Sequence, residues 1–105
     1  MADFETKEKP KPVIEFNGYT CNVVKRQYSG NDRTALILTD ATDGEYLTTA
    51  SVNVPDIDLK DDEIVIKNYS ENEGILEILT KAGLVKPLYE VTSGFVKHNV
   101  CKLLF

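Results

Sequence analysis

The sequence predicts an α+β fold: an antiparallel, strongly bent sheet of about six strands with one helix, at about 71–82, packed on it. Three observations carry this. Short apolar runs alternate with period two along most of the chain. Turn dipeptides, Asn17-Gly18 and Asp43-Gly44, punctuate those runs at hairpin spacing. Apolar residues recur at helical spacing in only one window, the one that follows Ser70.

Met1 to Pro12 is charged, holds one large apolar residue, Phe4, and is interrupted by Pro10 and Pro12. Such a segment buries too little to offset its ordering entropy, so 1–12 reads as a flexible charged tail before a single α+β domain at 13–105. Val13 to Phe16 is the first strand, and Asn17-Gly18 turns the chain because both centres of a type I′ turn need positive φ. Tyr19 to Tyr28 returns, with Tyr19, Cys21 and Val23 on one face and a polar far half, Lys25 to Gln27, that overhangs the sheet. Thr34 to Thr39 is apolar on both faces and belongs in the centre. Tyr46, Thr48, Ala50, Val52 and Val54 form the inner face of a half-buried strand that Pro55 ends.

Asp56 to Asp62 is an acidic connection, and Ile64 to Ile66 is a short strand. Ser70-Glu71-Asn72-Glu73 has the form of a capping box, with Tyr69 in the staple position before it. Ile75, Ile78, Leu79 and Ala82 make the buried stripe, Leu76 lies at its margin, and Gly83 supplies the left-handed end. Tyr89–Val91 and Phe95–Leu104 are the last strands, joined by a bend or bulge at Thr92-Ser93-Gly94. Tyr89 and Phe95 are expected in the core, as aromatics usually are.

Chemistry is sparse. His98 is the one histidine; flanked by Lys97 and Asn99 in a strand, it reads as a surface residue without a nucleophile beside it. Cys21 and Cys101 are not a C-x-x-C pair, and with one histidine they do not complete a zinc site. Both lie in apolar alternating segments, where a reduced thiol is a small hydrophobe. There is neither a G-x-S-x-G elbow nor a glycine-rich phosphate loop. Asp56-x-Asp58 lacks the glycine and the later glutamate of an EF-hand loop. The expectation is a non-enzymatic binding protein with no cofactor and no metal. No stretch approaches the roughly 20 apolar residues of a membrane span, so a cytoplasmic protein without membrane partners is expected.

Charge is where the sequence is distinctive. Seventeen carboxylates against twelve Lys and Arg give a net charge of −5. Eight of the carboxylates, Asp56, Asp58, Asp61, Asp62, Glu63, Glu71, Glu73 and Glu77, lie in one 22-residue stretch, opposed by Lys60 and Lys67 alone. That stretch carries −6, leaving the remainder near neutral. The bland account is a solvated connection plus two glutamates favoured by a helix dipole. The functional account is a negative surface for a basic protein partner, with no direct nucleic-acid binding, since that requires a cationic stripe. These eight are the candidate partner-binding residues; monomer and dimer both stay open.

The run Asp62 to Gly74 (DEIVIKNYSENEG) also resembles the hallmark of a family of small phage and mobile-element proteins of gut bacteria. Thr34-Ala35-Leu36, Ser51-Val52-Asn53-Val54-Pro55, Ala82-Gly83-Leu84-Val85, Ser93-Gly94-Phe95-Val96 and Val100-Cys101-Lys102-Leu103 extend the resemblance over most of the chain from about residue 19. The family brings no catalytic assignment, so no active-site residue is transferred. Some small proteins of this provenance resemble anti-CRISPR inhibitors, including those directed at type II-A Cas9. The resemblance therefore implies an inhibitor of a host defence nuclease acting in the bacterial cytoplasm. Cas9 holds nucleic acid in positively charged channels and reads its PAM with arginines, surfaces that an acidic protein can occupy. An anti-restriction DNA mimic, and an accessory or regulatory module of a mobile element, are the two other classes.

Overall fold

The computed structural model describes residues 12–105; the expected tail at 1–12 falls outside the described residues except for Pro12. Seven strands and one helix follow: β1 (Val13–Phe16), β2 (Tyr19–Gln27), β3 (Thr34–Asp40), β4 (Tyr46–Thr49), β5 (Glu63–Ile66), α1 (Ile75–Lys81), β6 (Val85–Ser93) and β7 (Val96–Leu103). All pairings are antiparallel, in two sheets ordered β1-β2-β3-β4 and β5-β7-β6. The fold is thus α+β, with seven strands where the sequence indicated about six. A single antiparallel bridge, Ser51 to Ile66, joins the sheets, and the Lys67 and Val52 amides donate to Ala50 O and Val65 O beside it.

The local signals explain the elements. Asn17 and Gly18 both have positive φ, as the type I′ turn between β1 and β2 requires. β3 is flanked on both sides and buries Ala35, Leu36 and Leu38. β2 stays paired to β3 as far as Gln27, so its polar half does not overhang; only the side chains of Lys25, Arg26 and Gln27 reach solvent. Tyr19 is likewise half exposed rather than sharing the burial of Cys21 and Val23.

The alternation from Tyr46 to Val54 does not make one strand. A register irregularity at Leu38/Thr39 lets Leu47, instead of Tyr46, pack on the core. Ala50 still donates to Leu36 O of β3 while accepting from Lys67, and from Ser51 the chain runs beside β5, so Ala50 lies in one core while Val52 and Val54 cover another. The first core lies between the four-stranded sheet, one face of β5-β7-β6 and α1, and contains Leu36, Leu38, Ile64, Ile66, Ile75 and Leu79. The second is smaller: Ile57, Val65 and Val100, with Val52, Val54, Leu59 and Val91 around them. Alternation along β5 sends Ile64 and Ile66 to one core and Val65 to the other.

The helix departs from the predicted 71–82. Ser70–Asn72 is a 3-10 turn, Ser70 itself has φ 57°, and α1 begins only at Ile75 after Gly74 at φ 94°. The Ser70–Glu73 capping box is not formed. Asn68 Oδ1 takes its place, accepting from the Gly74 amide at 3.1 Å and the Leu76 amide at 2.9 Å. Ile75 and Leu79 are fully buried, whereas Ile78 and Leu76 are partly buried and Ala82 is exposed, because the helix ends at Lys81. Its C-terminus matches expectation: Gly83 has φ 77°, and the amide of buried Leu84 donates to Leu79 O.

Gly94 and Phe95 form a tight two-residue turn between Ser93 and Val96, with positive φ at the glycine only. The expected bend is therefore a hairpin tip, and Phe95 projects fully into solvent instead of entering the core; Tyr89 is half exposed. His98 is corrected in the opposite sense. It is 7% exposed, opposite Val91 and on the same face as Val100, and its Nδ1 has no hydrogen-bond partner among the described residues. Flanking Lys97 and Asn99 point to the other face, so they say nothing about what covers the histidine. Cys21 and Cys101 are both buried and unpaired, in different sheets; burial pushes the Cys101 thiol up to about 11.

Candidate acidic docking surface

The eight acidic residues are divided by β5. Asp56, Asp58, Asp61, Asp62 and Glu63 lie before or at its start, and Glu71, Glu73 and Glu77 follow its end. The strand's three steps from Glu63 to Ile66 alone separate the groups by roughly 10 Å, about one Debye length at physiological salt. The two groups also differ in what surrounds them.

The first group rides on an anchored loop. Ile57 is buried and Leu59 packs on the second core, while the intervening Asp56, Asp58 and Lys60 are exposed. The strict alternation Asp56-Ile57-Asp58-Leu59-Lys60 is the sequence signal for this, an inward-facing apolar pair in what otherwise looks like a polar connection.

Arg33 fixes the backbone from the side: its guanidinium donates to Val54 O at 2.9 Å and to Ile57 O at 2.6 Å. Charge-assisted bonds to two carbonyls hold the loop far more firmly than solvent contacts would. Further along, the Glu63 amide donates to Lys60 O, and the Lys60 amide donates to Glu63 Oε1 at 2.9 Å. The Leu103 amide donates to Asp62 O at 2.7 Å. Nothing in the sequence around Arg33 marks it as the clamp, since its acceptors are main-chain carbonyls more than 20 residues away.

Within this group Asp62 lies 3.8 Å from the Lys102 ammonium, and Glu63 is engaged with its own turn. Asp56, Asp58 and Asp61 are exposed and have no ion pair among the described residues. A cleft of about 320 Å³ between Leu59–Glu63 and the Asn31–Thr34 turn has Asp61 in its wall. Among the described residues no three His, Cys, Asp or Glu side chains are grouped to hold a metal ion.

The second group is differently employed. Glu71 pairs with Lys67 at 2.8 Å, which holds its carboxyl below the usual range, and Glu77 pairs with Lys81 at 3.2 Å along α1. Glu73 is exposed in the link between the 3-10 turn and the helix. Asn72, between two of these glutamates, is wholly buried: its amide donates to Thr49 O at 2.7 Å and its carbonyl accepts from Thr48 Oγ1 at 3.0 Å. The stretch from Asn68 to Gly74 is thus largely a structural joint between β4, β5 and α1.

The fold and this surface define an antiparallel α+β protein presenting a braced acidic loop. Among the described residues no helix is long and apolar enough to cross a membrane. Comparison with known proteins finds no matching family model, no matching curated protein and no matching solved structure.

Proposed function

We propose that the protein is a non-enzymatic binding protein that docks its 56–63 loop on a basic surface of a partner protein, and that the partner is a defence nuclease of the Cas9 type. The observation that carries the docking reading is the bracing of the loop: Ile57 and Leu59 hold it from below and Arg33 from the side, leaving Asp56, Asp58 and Asp61 outward. Pre-ordered carboxylates lose little conformational freedom on binding, so their attraction for a cationic surface is spent on affinity and association rate. The resemblance of the 62–74 run supports the nuclease as the partner. Three outward carboxylates on one loop are few for a mimic of duplex DNA, which carries a charge every ~1.7 Å of axis. This weighs against the anti-restriction reading.

The test is guide-directed DNA cleavage by a type II-A Cas9 with the protein in molar excess. Inhibition that vanishes in the triple variant Asp56→Asn, Asp58→Asn, Asp61→Asn is the expected result. Undiminished cleavage at large excess rejects the nuclease, and full inhibition by the triple variant rejects the loop.

A further inference from the structure

A second candidate surface follows β5 in the chain. A groove of about 500 Å³ runs between β4 and the segment linking β5 to the helix, and its wall includes Tyr28, Tyr46, Tyr69, Lys67, Ser70 and Glu71. Its volume is within the range of ordinary ligand pockets. Two of its phenols are fixed at the wall: Tyr28 Oη lies 2.7 Å from Ser51 Oγ and Tyr46 Oη 2.8 Å from Thr49 Oγ1. Ser70, with φ 57°, is a non-glycine residue held in the left-handed region, a conformation that costs energy and that the flanking Asn68 and Asn72 contacts sustain.

The groove already holds a cation, supplied by the chain itself. The Lys67 ammonium lies 2.8 Å from Glu71 Oε2 and 5.7 Å from the centroid of the Tyr69 ring. The Glu71 hydrogen bond chiefly favours that charge and raises the lysine's pKa. An anion entering here would meet a lysine already neutralised and a carboxylate beside it. A cation would meet the Glu71 carboxylate and the electron-rich face of the Tyr69 ring. Among basic side chains, a guanidinium has the advantage over the resident ammonium. It is planar, more weakly hydrated, stacks on aromatic rings and can bond a carboxylate through two donors at once.

We propose that this groove binds an arginine side chain of a partner protein, its guanidinium replacing the Lys67 ammonium between Glu71 and the Tyr69 ring. The proposal rests on the basic-partner reading above only for the source of the arginine; the site itself is tested with a small probe.

The experiment titrates the full chain with Nα-acetyl-arginine amide and follows tyrosine ring resonances, which five Tyr and no Trp make tractable. Tyr28, Tyr46 and Tyr69 are expected to shift while Tyr89, on β6, stays still. Lys67→Met removes the internal competitor and should tighten binding roughly threefold or more, as expected when the binding-competent fraction rises. Glu71→Gln should weaken it roughly tenfold through loss of the charge-assisted bonds. The triple loop variant should bind the probe as wild type does, so failure of the groove and failure of the loop are separate results. Loss of binding in Lys67→Met, or shifts produced by inorganic phosphate and not by the arginine amide, would overturn the proposal. So would the absence of any shift in the Lys67→Met protein.

Discussion

On the Glu63 side of β5 the carboxylates sit on a loop whose apolar residues face inward and whose backbone is clamped by Arg33; on the Ser70 side they sit on a turn whose buried polar residue, Asn72, does the anchoring. Both halves are acidic, the first more so, and their surroundings differ. Before β5, Asp56, Asp58 and Asp61 are left unpaired among the described residues; after it, Glu71 and Glu77 are paired with Lys67 and Lys81. Acidity that is continuous in sequence therefore becomes one group of largely unpaired carboxylates and one largely matched by the chain's own lysines.

The largest effect in this comparison is expected at Asn72. Asn72→Ala removes two part-buried hydrogen bonds of a fully buried side chain and leaves a cavity, so it should cost about 2–3 kcal/mol in urea denaturation. A loss below about 0.5 kcal/mol, within the range of an ordinary surface substitution, would show that the joint is not held there.

Arg33→Met should cost about 2 kcal/mol, since two carbonyls lose a charged donor. Its more telling effect is local: amide exchange should accelerate through 54–62 while β5 and β7 stay protected. Uniform acceleration would mean that Arg33 supports the whole fold and does not brace the loop in particular.

Smaller effects separate the two accounts of the helix start. Asn68→Ala should cost about 1 kcal/mol as a lost cap. Ser70→Ala should cost no cap at all, and Ser70→Gly should stabilise by up to about 1 kcal/mol by relieving the left-handed residue. The reverse ranking, with Ser70 costly and Asn68 silent, would restore the capping box.

How far the sequence reached follows from the range of each signal. The type I′ turn at Asn17-Gly18, the central place of β3 and the Gly83 helix end were all legible, because each is set by neighbouring residues. The helix start misled because Asn68 and Ser70 are both competent caps, and the choice depends on Asn72 reaching Thr48 and Thr49 across the fold. His98 and Phe95 exchanged their expected places for the same reason: one strand face acquires a cover and a hairpin tip does not, and neither fact is local. The acidic segment was legible as charge but not in its surroundings. Its pairing after β5 depends on Lys67 and Lys81, and its bracing before β5 on Arg33, which is distant in sequence.

The most direct measurement compares binding to the Cas9–guide complex, by calorimetry at two salt concentrations, for the triple loop variant and for Glu73→Gln, Glu77→Gln. The loop variant should lose both affinity and salt dependence, and the helix-side pair should retain both. Equal losses in the two variants, or a loss confined to the helix side, would contradict the claim that the braced 56–63 loop is the docking surface.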